Sequence, residues 1–141
     1  MKISKYFDSS EVSASVTAFE NNIFNIPDSE SMERAKILAN NCLDTIREYL
    51  HIPLYVSSWF RCEELNDKVN GKPTSQHLLG EAVDLKYIGF TFEQFLEVVA
   101  VHNIHFDQII EEHDSERNKW LHISYTKRHI NRNEILMDYK K

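Results

Sequence analysis

The sequence predicts an α+β protein in which helices flank an antiparallel sheet. Three observations lead to this prediction. A long segment near the amino terminus repeats apolar residues at helical spacing, the strand-like segments all follow it, and a short polar turn separates the last two of them. The length of 141 residues suits one domain with its own core. We therefore expect a single domain over 1–141, mostly helical over 1–50, with a site-bearing region over 51–125 and a tail over 126–141.

Capping signals and apolar periodicity predict the helices. The run Asp8-Ser9-Ser10-Glu11 has the pattern of a capping box and predicts a short helix over about 9–17, followed by an irregular connection. The strongest helix is predicted over 28–50, where apolar residues recur every three or four positions and form one face. That face is formed by Met32, Ala35, Leu38, Ala39, Cys42, Leu43, Ile46, Tyr49 and Leu50. Shorter helices are predicted over about 63–69 and 91–101.

Four segments rich in β-branched and aromatic residues predict strands. These segments cover 54–60, 82–87, 106–112 and 120–125. The polar turn over 113–119 separates the last two strands, which predicts a hairpin. We expect the residues after Tyr125 to form a helical or frayed tail.

Charge and hydropathy limit the partners that this chain is expected to have. The formal net charge is −6, whereas a protein that follows phosphates usually carries a basic patch, so we expect no nucleic-acid partner. Basic residues concentrate only near the carboxyl terminus, which we interpret as a solvated surface. No segment approaches the ~20 apolar residues of a membrane helix, and no secretory signal begins the sequence. We therefore expect a monomer that is synthesised in the cytoplasm without a signal peptide.

One stretch combines the residue types of a metal site. In Thr74-Ser75-Gln76-His77-Leu78-Leu79-Gly80-Glu81-Ala82-Val83-Asp84-Leu85, an imidazole and a carboxylate lie seven positions apart across a glycine. A second imidazole, His122, lies in the alternating run Trp120-Leu121-His122-Ile123-Ser124. Two His and one Asp can bind Zn²⁺ and leave one coordination position open, as in catalytic zinc sites. The chain has seven His, so ordinary roles for these three residues remain an alternative on spacing alone.

The same stretch resembles a known family. Ser58-Trp59-Phe60-Arg61, Leu65-Asn66 and the Ser75-to-Asp84 block are similar to the zinc D-Ala-D-Ala carboxypeptidase-like peptidases, the peptidase M15 group. The pattern of that group is Ser-Gly-Tyr-Arg, then Leu-Asn, then Ser-x-His-x-x-Gly-x-Ala-x-Asp. The later segments 106–112 and 120–124 are similar to a short branch found in phages and prophages. The resemblance covers about 2–125.

The resemblance implies a hedgehog/DD-peptidase-like fold with zinc on an antiparallel sheet. It implies that His77, Asp84 and His122 bind Zn²⁺. It also implies that Arg61 stabilises the developing oxyanion, for which a fixed guanidinium is well suited. Ser75 and Gln76 are expected to line the substrate groove, with loop capping as the alternative for each.

Three positions depart from the family pattern. Trp59 replaces a glycine and Phe60 a tyrosine, which either narrows the cleft floor or leaves the chemistry alone. Many members carry an acidic catalytic residue three positions before the last His ligand, where this chain has Lys119. In the short branch, a glutamate on the adjoining strand resembles a substitute for that residue, and Glu112 occupies this place here. The resemblance therefore implies Glu112 as the general base, with a solvated glutamate beside a turn as the alternative. Glu111 is expected to point to the other face of the sheet.

The function that the resemblance implies is zinc-dependent cleavage of peptidoglycan stem peptides. The enzyme would be a D,D-carboxypeptidase or an endopeptidase, for example a phage or prophage endolysin, acting on the cell wall or in the periplasm once released. One alternative is a non-catalytic zinc-binding or cell-wall-binding pseudo-peptidase, which Lys119 keeps open. Another is a different metallohydrolase, an amidase or a nuclease. The acidic balance of the chain argues against the nuclease.

Overall fold

A five-stranded sheet with strand order β1-β2-β4-β3-β5 organises the fold. The computed structural model describes residues 1–141, and the strands are β1 (Val56–Ser58), β2 (Ala82–Leu85), β3 (Gln108–His113), β4 (Lys119–Ser124) and β5 (Glu134–Lys140). Neighbouring strands run antiparallel, except that β5 runs parallel to β3. The mixed helix-and-sheet architecture is thus as predicted, whereas a purely antiparallel sheet is wrong.

Six α-helices, one π-helical turn and one 3₁₀ turn surround the sheet. They are α1 (Ser9–Ser13), α2 (Val16–Glu20), α3 (Ser29–Leu38), a π-helical turn (Ala39–Leu43), α4 (Asp44–Leu50), α5 (Glu63–Lys68), a 3₁₀ turn (Gln76–Leu79) and α6 (Phe92–Val101). The long helix predicted over 28–50 is confirmed, with the π-helical turn inside it. The single helix predicted over 9–17 is wrong. Ser15 accepts a hydrogen bond from the backbone N–H of Ala18, and this cap begins a second helix.

The two faces of the sheet have different neighbours. Alternate residues of the central strands, Val83, Ile109, Leu121 and Ile123 among them, are buried in one apolar cluster with the long helix and α6. The residues between them point to the opposite face, where the candidate site lies. Tyr49 is an exception on the predicted helix face, since it is 48% exposed. It stacks instead on His102, with ring centroids 3.6 Å apart.

The carboxyl-terminal segment is an ordered part of the sheet, so the predicted helical or frayed tail is wrong. Two buried carboxylates hold it in place. Arg128 donates to Glu81 at 2.7 and 3.0 Å, and Arg132 donates to Asp107 at 2.8 and 3.0 Å. Beyond these contacts, β5 pairs with the edge of β3, whose backbone groups would otherwise lack partners. No local pattern in the sequence signals such long-range pairing. None of the helices has the length and apolar character needed to cross a bilayer.

Candidate metal centre

A short turn positions His77. The hydroxyl oxygen of Ser75 accepts a hydrogen bond from the backbone N–H of His77 and begins the 3₁₀ turn, which Gly80 ends with φ +78°. A Cβ at Gly80 would lie 2.3 Å from the carbonyl oxygen of Ser31 in α3. Both the positive φ and this close approach require glycine. The glycine of the sequence motif therefore lets the His77 turn pack against α3.

The backbone fixes the orientation of the His77 ring. Its Nδ1 lies 2.6 Å from the carbonyl oxygen of Trp59 and donates to it, so the proton resides on Nδ1. Nε2 is then free of a proton and faces Asp84 Oδ1 at 3.2 Å. Such a hydrogen bond from the second ring nitrogen is the usual support of a histidine that binds a metal.

Trp59 lies behind the site rather than on the floor of the cleft. Its side chain is fully buried, packs edge-to-face against Phe7, and donates from its indole nitrogen to the carbonyl oxygen of Gly80 at 3.2 Å. Of the two expectations for this departure from the family pattern, narrowing of the cleft floor is therefore wrong. Phe60 is likewise buried in the core.

Strand pairing brings Asp84 and His122 together. The two residues are direct partners across the antiparallel pair β2–β4, and His122 Nδ1 lies 3.0 Å from Asp84 Oδ1. One potential ligand atom each from His77, Asp84 and His122 lies within 4.8 Å of the other two. Their side chains are only 3%, 6% and 12% exposed, respectively. The three residues singled out from the sequence thus converge on one point.

Electrostatics favour the protonation states that a metal site needs. Burial lowers the pKa of His77, which keeps the imidazole neutral. Burial opposes ionisation of Asp84, but its contacts with the two imidazoles, first His77 and then His122, outweigh burial and hold the pKa of Asp84 well below its usual range. A carboxylate and two neutral imidazoles are the donor types that Zn²⁺ prefers. The residues present therefore fit this ion.

Glu112 lies beside this cluster. Its Oε1 is 3.5 Å from His122 Nδ1 and accepts a hydrogen bond from the indole nitrogen of Trp120 at 3.1 Å. Burial and the negative charge of Asp84 raise the pKa of Glu112, while His122 and Lys141 act in the opposite direction. Glu111 points to the other face of the sheet, as its position on the strand predicts. There its Oε1 lies 3.6 Å from Lys119 Nζ.

Arg61 is fixed on the other side of Asp84. The residue is 4% exposed, and it donates to Ser58 Oγ at 3.3 Å, to Asn66 Oδ1 at 3.1 Å and to Asp84 Oδ2 at 3.4 Å. Three of the five guanidinium N–H groups are engaged in this way, which leaves two for other acceptors. Arg61 can therefore hold its position and still donate to a group in the cleft.

A cleft of about 490 Å³ opens above these residues. Ser75 and Gln76 lie on its wall, and each also makes a hydrogen bond within the protein, to His77 N and Glu81 respectively. The opposite wall is formed by residues that sequence reasoning missed, Leu136, Tyr139, Lys140 and Lys141. The basic residues near the carboxyl terminus were interpreted as solvated surface, but Arg132, Lys140 and Lys141 line the cleft. Only their position beside β3, which no local motif signals, could have identified them.

A three-donor metal site at the base of a cleft is typical of metal-dependent hydrolases. Comparison with protein families gives a more specific assignment. The model of the family described as Peptidase M15 matches residues 5–124, and the chain belongs to that family. This match confirms the resemblance predicted from the sequence. Members of the family are typically metallopeptidases, which implies a peptide as the class of substrate. No curated protein matches the chain.

Proposed function

We propose that this protein is a zinc-dependent peptidase that cleaves the stem peptides of peptidoglycan, as a D,D-carboxypeptidase or an endopeptidase. One observation carries the proposal: two imidazoles and two acidic side chains, those of Asp84 and Glu112, meet at the base of a cleft in a member of a peptidase family. The peptidoglycan substrate rests on the similarity of the motif around Arg61, His77 and Asp84 to the D-Ala-D-Ala carboxypeptidase-like branch. A phage or prophage endolysin acting on the cell wall is the role that this branch suggests.

His77, Asp84 and His122 would bind the zinc ion. When bound, Zn²⁺ polarises a carbonyl oxygen and acidifies water, which makes a nucleophile accessible near neutral pH. The hydrogen bond from His77 Nδ1 to the Trp59 carbonyl oxygen leaves Nε2 as the atom that would bind the ion. Pairing across β2–β4 holds the side chains of Asp84 and His122 next to each other, where both could bind the same ion.

Glu112 would act as general base and then as general acid. Its carboxylate takes a proton from the attacking water and gives it to the leaving amine. Burial favours its protonated form, and the raised pKa brings the carboxyl closer to the pH at which both transfers occur. The hydrogen bond from Trp120 holds Oε1 next to His122.

Arg61 would stabilise the negative charge that develops on the carbonyl oxygen of the cleaved bond. A buried guanidinium whose orientation is already fixed loses little energy to reorganisation during the reaction. Its contacts with Ser58, Asn66 and Asp84 supply that fixed orientation.

The position of Lys119 favours an enzyme over a pseudo-peptidase. Lys119 lies on β4 with odd spacing from His122, so its side chain points away from the site and pairs with Glu111. Glu112, on the neighbouring strand, places a carboxylate 3.5 Å from His122, so Lys119 at the usual base position does not leave the site without an acidic group that could act as base.

Substitution of Glu112 tests the proposal. We expect Glu112→Gln to retain bound zinc and to lower kcat by about 100-fold or more, since it loses proton transfer but no metal ligand. The matched control is Glu111→Gln, on the other face of the sheet, which should stay near wild-type turnover. Zinc content is measured by metal analysis, and turnover by mass spectrometry of purified peptidoglycan and of an acyl-D-Ala-D-Ala peptide.

Three results would count against the proposal. Unchanged turnover in Glu112→Gln rejects Glu112 as the base. Binding of the wall peptides by the zinc-loaded protein without hydrolysis would favour the pseudo-peptidase, and release of peptides from amino sugars would favour an amidase.

A further inference from the structure

The carboxyl-terminal strand β5 forms a wall of the cleft, although it lies outside the residues that the family model matches. The match ends at residue 124, whereas Leu136, Tyr139, Lys140 and Lys141 line the cleft opposite the loop over 70–77. The metal-binding residues are thus part of the shared family region. The cleft wall formed by β5 lies outside that shared region, because β5 follows residue 124.

This wall is held in a defined register. In the parallel pair, Leu136 lies beside Ile110 and Tyr139 beside Glu112. The backbone N–H of Lys141 donates to the carbonyl oxygen of His113 at 3.0 Å. The two arginine–carboxylate contacts of the preceding segment fix where β5 begins. A substrate in the cleft would therefore meet side chains that are already positioned.

The cleft concentrates positive charge in an acidic protein. Five of the chain's 16 Lys and Arg residues line it, while the whole chain carries a net charge of −6. Arg61 and Arg132 are paired with Asp84 and Asp107. The other three, Lys72, Lys140 and Lys141, form no ion pair within the protein. Glu112 is the one acidic side chain that lines the cleft, so positive charge remains in excess there. A cleft with an excess of charge of one sign attracts ligands of the other sign.

Lys141 brings part of this charge close to the candidate centre. Its Nζ lies 5.9 Å from the centre of the Trp120 ring, and the indole nitrogen of Trp120 is hydrogen-bonded to Glu112. Burial and the charge of Arg61 lower the pKa of the Lys141 ammonium, and Asp84 and Glu112 raise it. Lys141 lines the same cleft as His77, Glu112 and His122, so its ammonium group can meet a peptide that is bound there.

We propose that Lys140 and Lys141 bind a carboxylate of the peptide substrate, and so determine which peptides this enzyme accepts. The inference rests on the proposed peptidase function and extends it to a specific substrate group. Leu136 and Tyr139 provide the apolar surface on which the neighbouring part of the peptide packs. The carboxylate belongs either to the carboxyl terminus of the peptide or to an acidic side chain near the cleaved bond.

Binding to three peptides tests the proposal. The probes are acetyl-Lys-D-Ala-D-Ala with a free carboxyl terminus, the same peptide as its terminal amide, and that amide with Glu in place of Lys. Equilibrium affinity is measured on the full chain after chelation, which prevents turnover, and kcat/KM on the zinc-loaded protein. We expect at least one carboxylate peptide to bind about tenfold more tightly than the neutral-ended Lys peptide. The peptide that shows this gain identifies the source of the carboxylate.

Variants connect this preference to β5. The double variant Lys140→Gln/Lys141→Gln should reduce the affinity ratio towards one. The control Lys127→Gln, an exposed lysine outside the cleft, should retain the wild-type ratio. Added salt should weaken binding of the carboxylate peptide more than that of the amide.

The outcomes separate this inference from the proposed function. Equal affinities for all three peptides, or a ratio unchanged in the double variant, would overturn the role of Lys140 and Lys141 even if the enzyme cleaves peptides. A lysine-dependent affinity ratio without any hydrolysis would support the carboxylate site and reject the peptidase. Tighter binding of a single-stranded hexanucleotide than of any peptide would overturn the substrate class.

Discussion

Two aspartate–arginine pairs at different places on the sheet show how the same residue types serve different purposes. Asp107 is fully buried and accepts from Arg132 Nε at 3.0 Å, Arg132 Nη2 at 2.8 Å and the Arg132 backbone N–H at 3.0 Å. Asp84 is also buried, at 4% exposed, but has one arginine contact, at 3.4 Å. Its Oδ1 faces the imidazoles of His77 and His122 instead.

The difference lies in what each carboxylate leaves available. One arginine engages both oxygens of Asp107, so this pair fastens the carboxyl-terminal segment to the sheet and offers nothing to a ligand. Arg61 contacts only Oδ2 of Asp84, and Oδ1 faces one ring nitrogen each of His77 and His122. A buried carboxylate that faces two histidines is arranged like a metal ligand, whereas Asp107 is arranged like a structural ion-pair partner.

The largest expected effect distinguishes the two aspartates by metal binding. We expect Asp84→Asn to weaken zinc binding by more than the ~10–100-fold that loss of an outer-shell partner costs, because it removes a charged ligand. Asp107→Asn should bind zinc like the wild type. Titration with a competing chelator measures both. Equal zinc affinity in the two variants would reject Asp84 as a ligand.

A smaller effect is expected on the free energy of unfolding, and here Asp107 rather than Asp84 is the residue of interest. We expect Asp107→Asn to lower the free energy of unfolding by about 2 kcal/mol, since charge-assisted hydrogen bonds are lost while Arg132 remains half-exposed and can be rehydrated. The control Asp138→Asn breaks an exposed pair with Arg117 and should change stability by about 0.5 kcal/mol or less. Urea unfolding measures both. A loss for Asp107→Asn no greater than for the control would contradict the fastening role.

The smallest effect is the acid dependence of that stability. Burial opposes ionisation of Asp107, but its bonds to Arg132 outweigh burial and hold the pKa below its ordinary value of 3.8. The folded state therefore favours the ionised carboxylate. The resulting stability is fully present above about pH 3.8 and disappears as the pH falls through the lower pKa of the folded state. Unfolding curves from pH 6 to pH 2 should show a shallower decline for Asp107→Asn. Parallel declines would exclude a contribution of this group.

The sequence identified the candidate site better than the edges of the fold. His77, Asp84 and Glu112 could be named because the sequence around them resembles the peptidase family, and strand alternation, which is a local pattern, then indicated which side chains share a face. The long helix was also predicted from a local pattern, since its apolar face repeats over six turns. The helix over 9–17 failed because Ser15 can cap a new helix as readily as it can continue one.

The carboxyl-terminal strand could not be predicted in the same way. Its position depends on Arg128 reaching Glu81, 47 residues away, and on Arg132 reaching Asp107, 25 residues away. Neither contact leaves a periodic trace in the sequence. The basic residues of this segment therefore looked like ordinary surface, and the wall that they contribute to the cleft became visible only in three dimensions.

Trp59 has a consequence for anyone who transplants this centre into another scaffold. Its backbone carbonyl oxygen orients the His77 ring, and its indole N–H secures the end of the same turn at Gly80. Grafting the loop alone would leave behind the support that aims the imidazole. For the His77 ligand, the smallest portable unit is therefore a discontinuous pair, the loop together with Trp59 from the preceding strand region, in addition to the strands that carry Asp84 and His122.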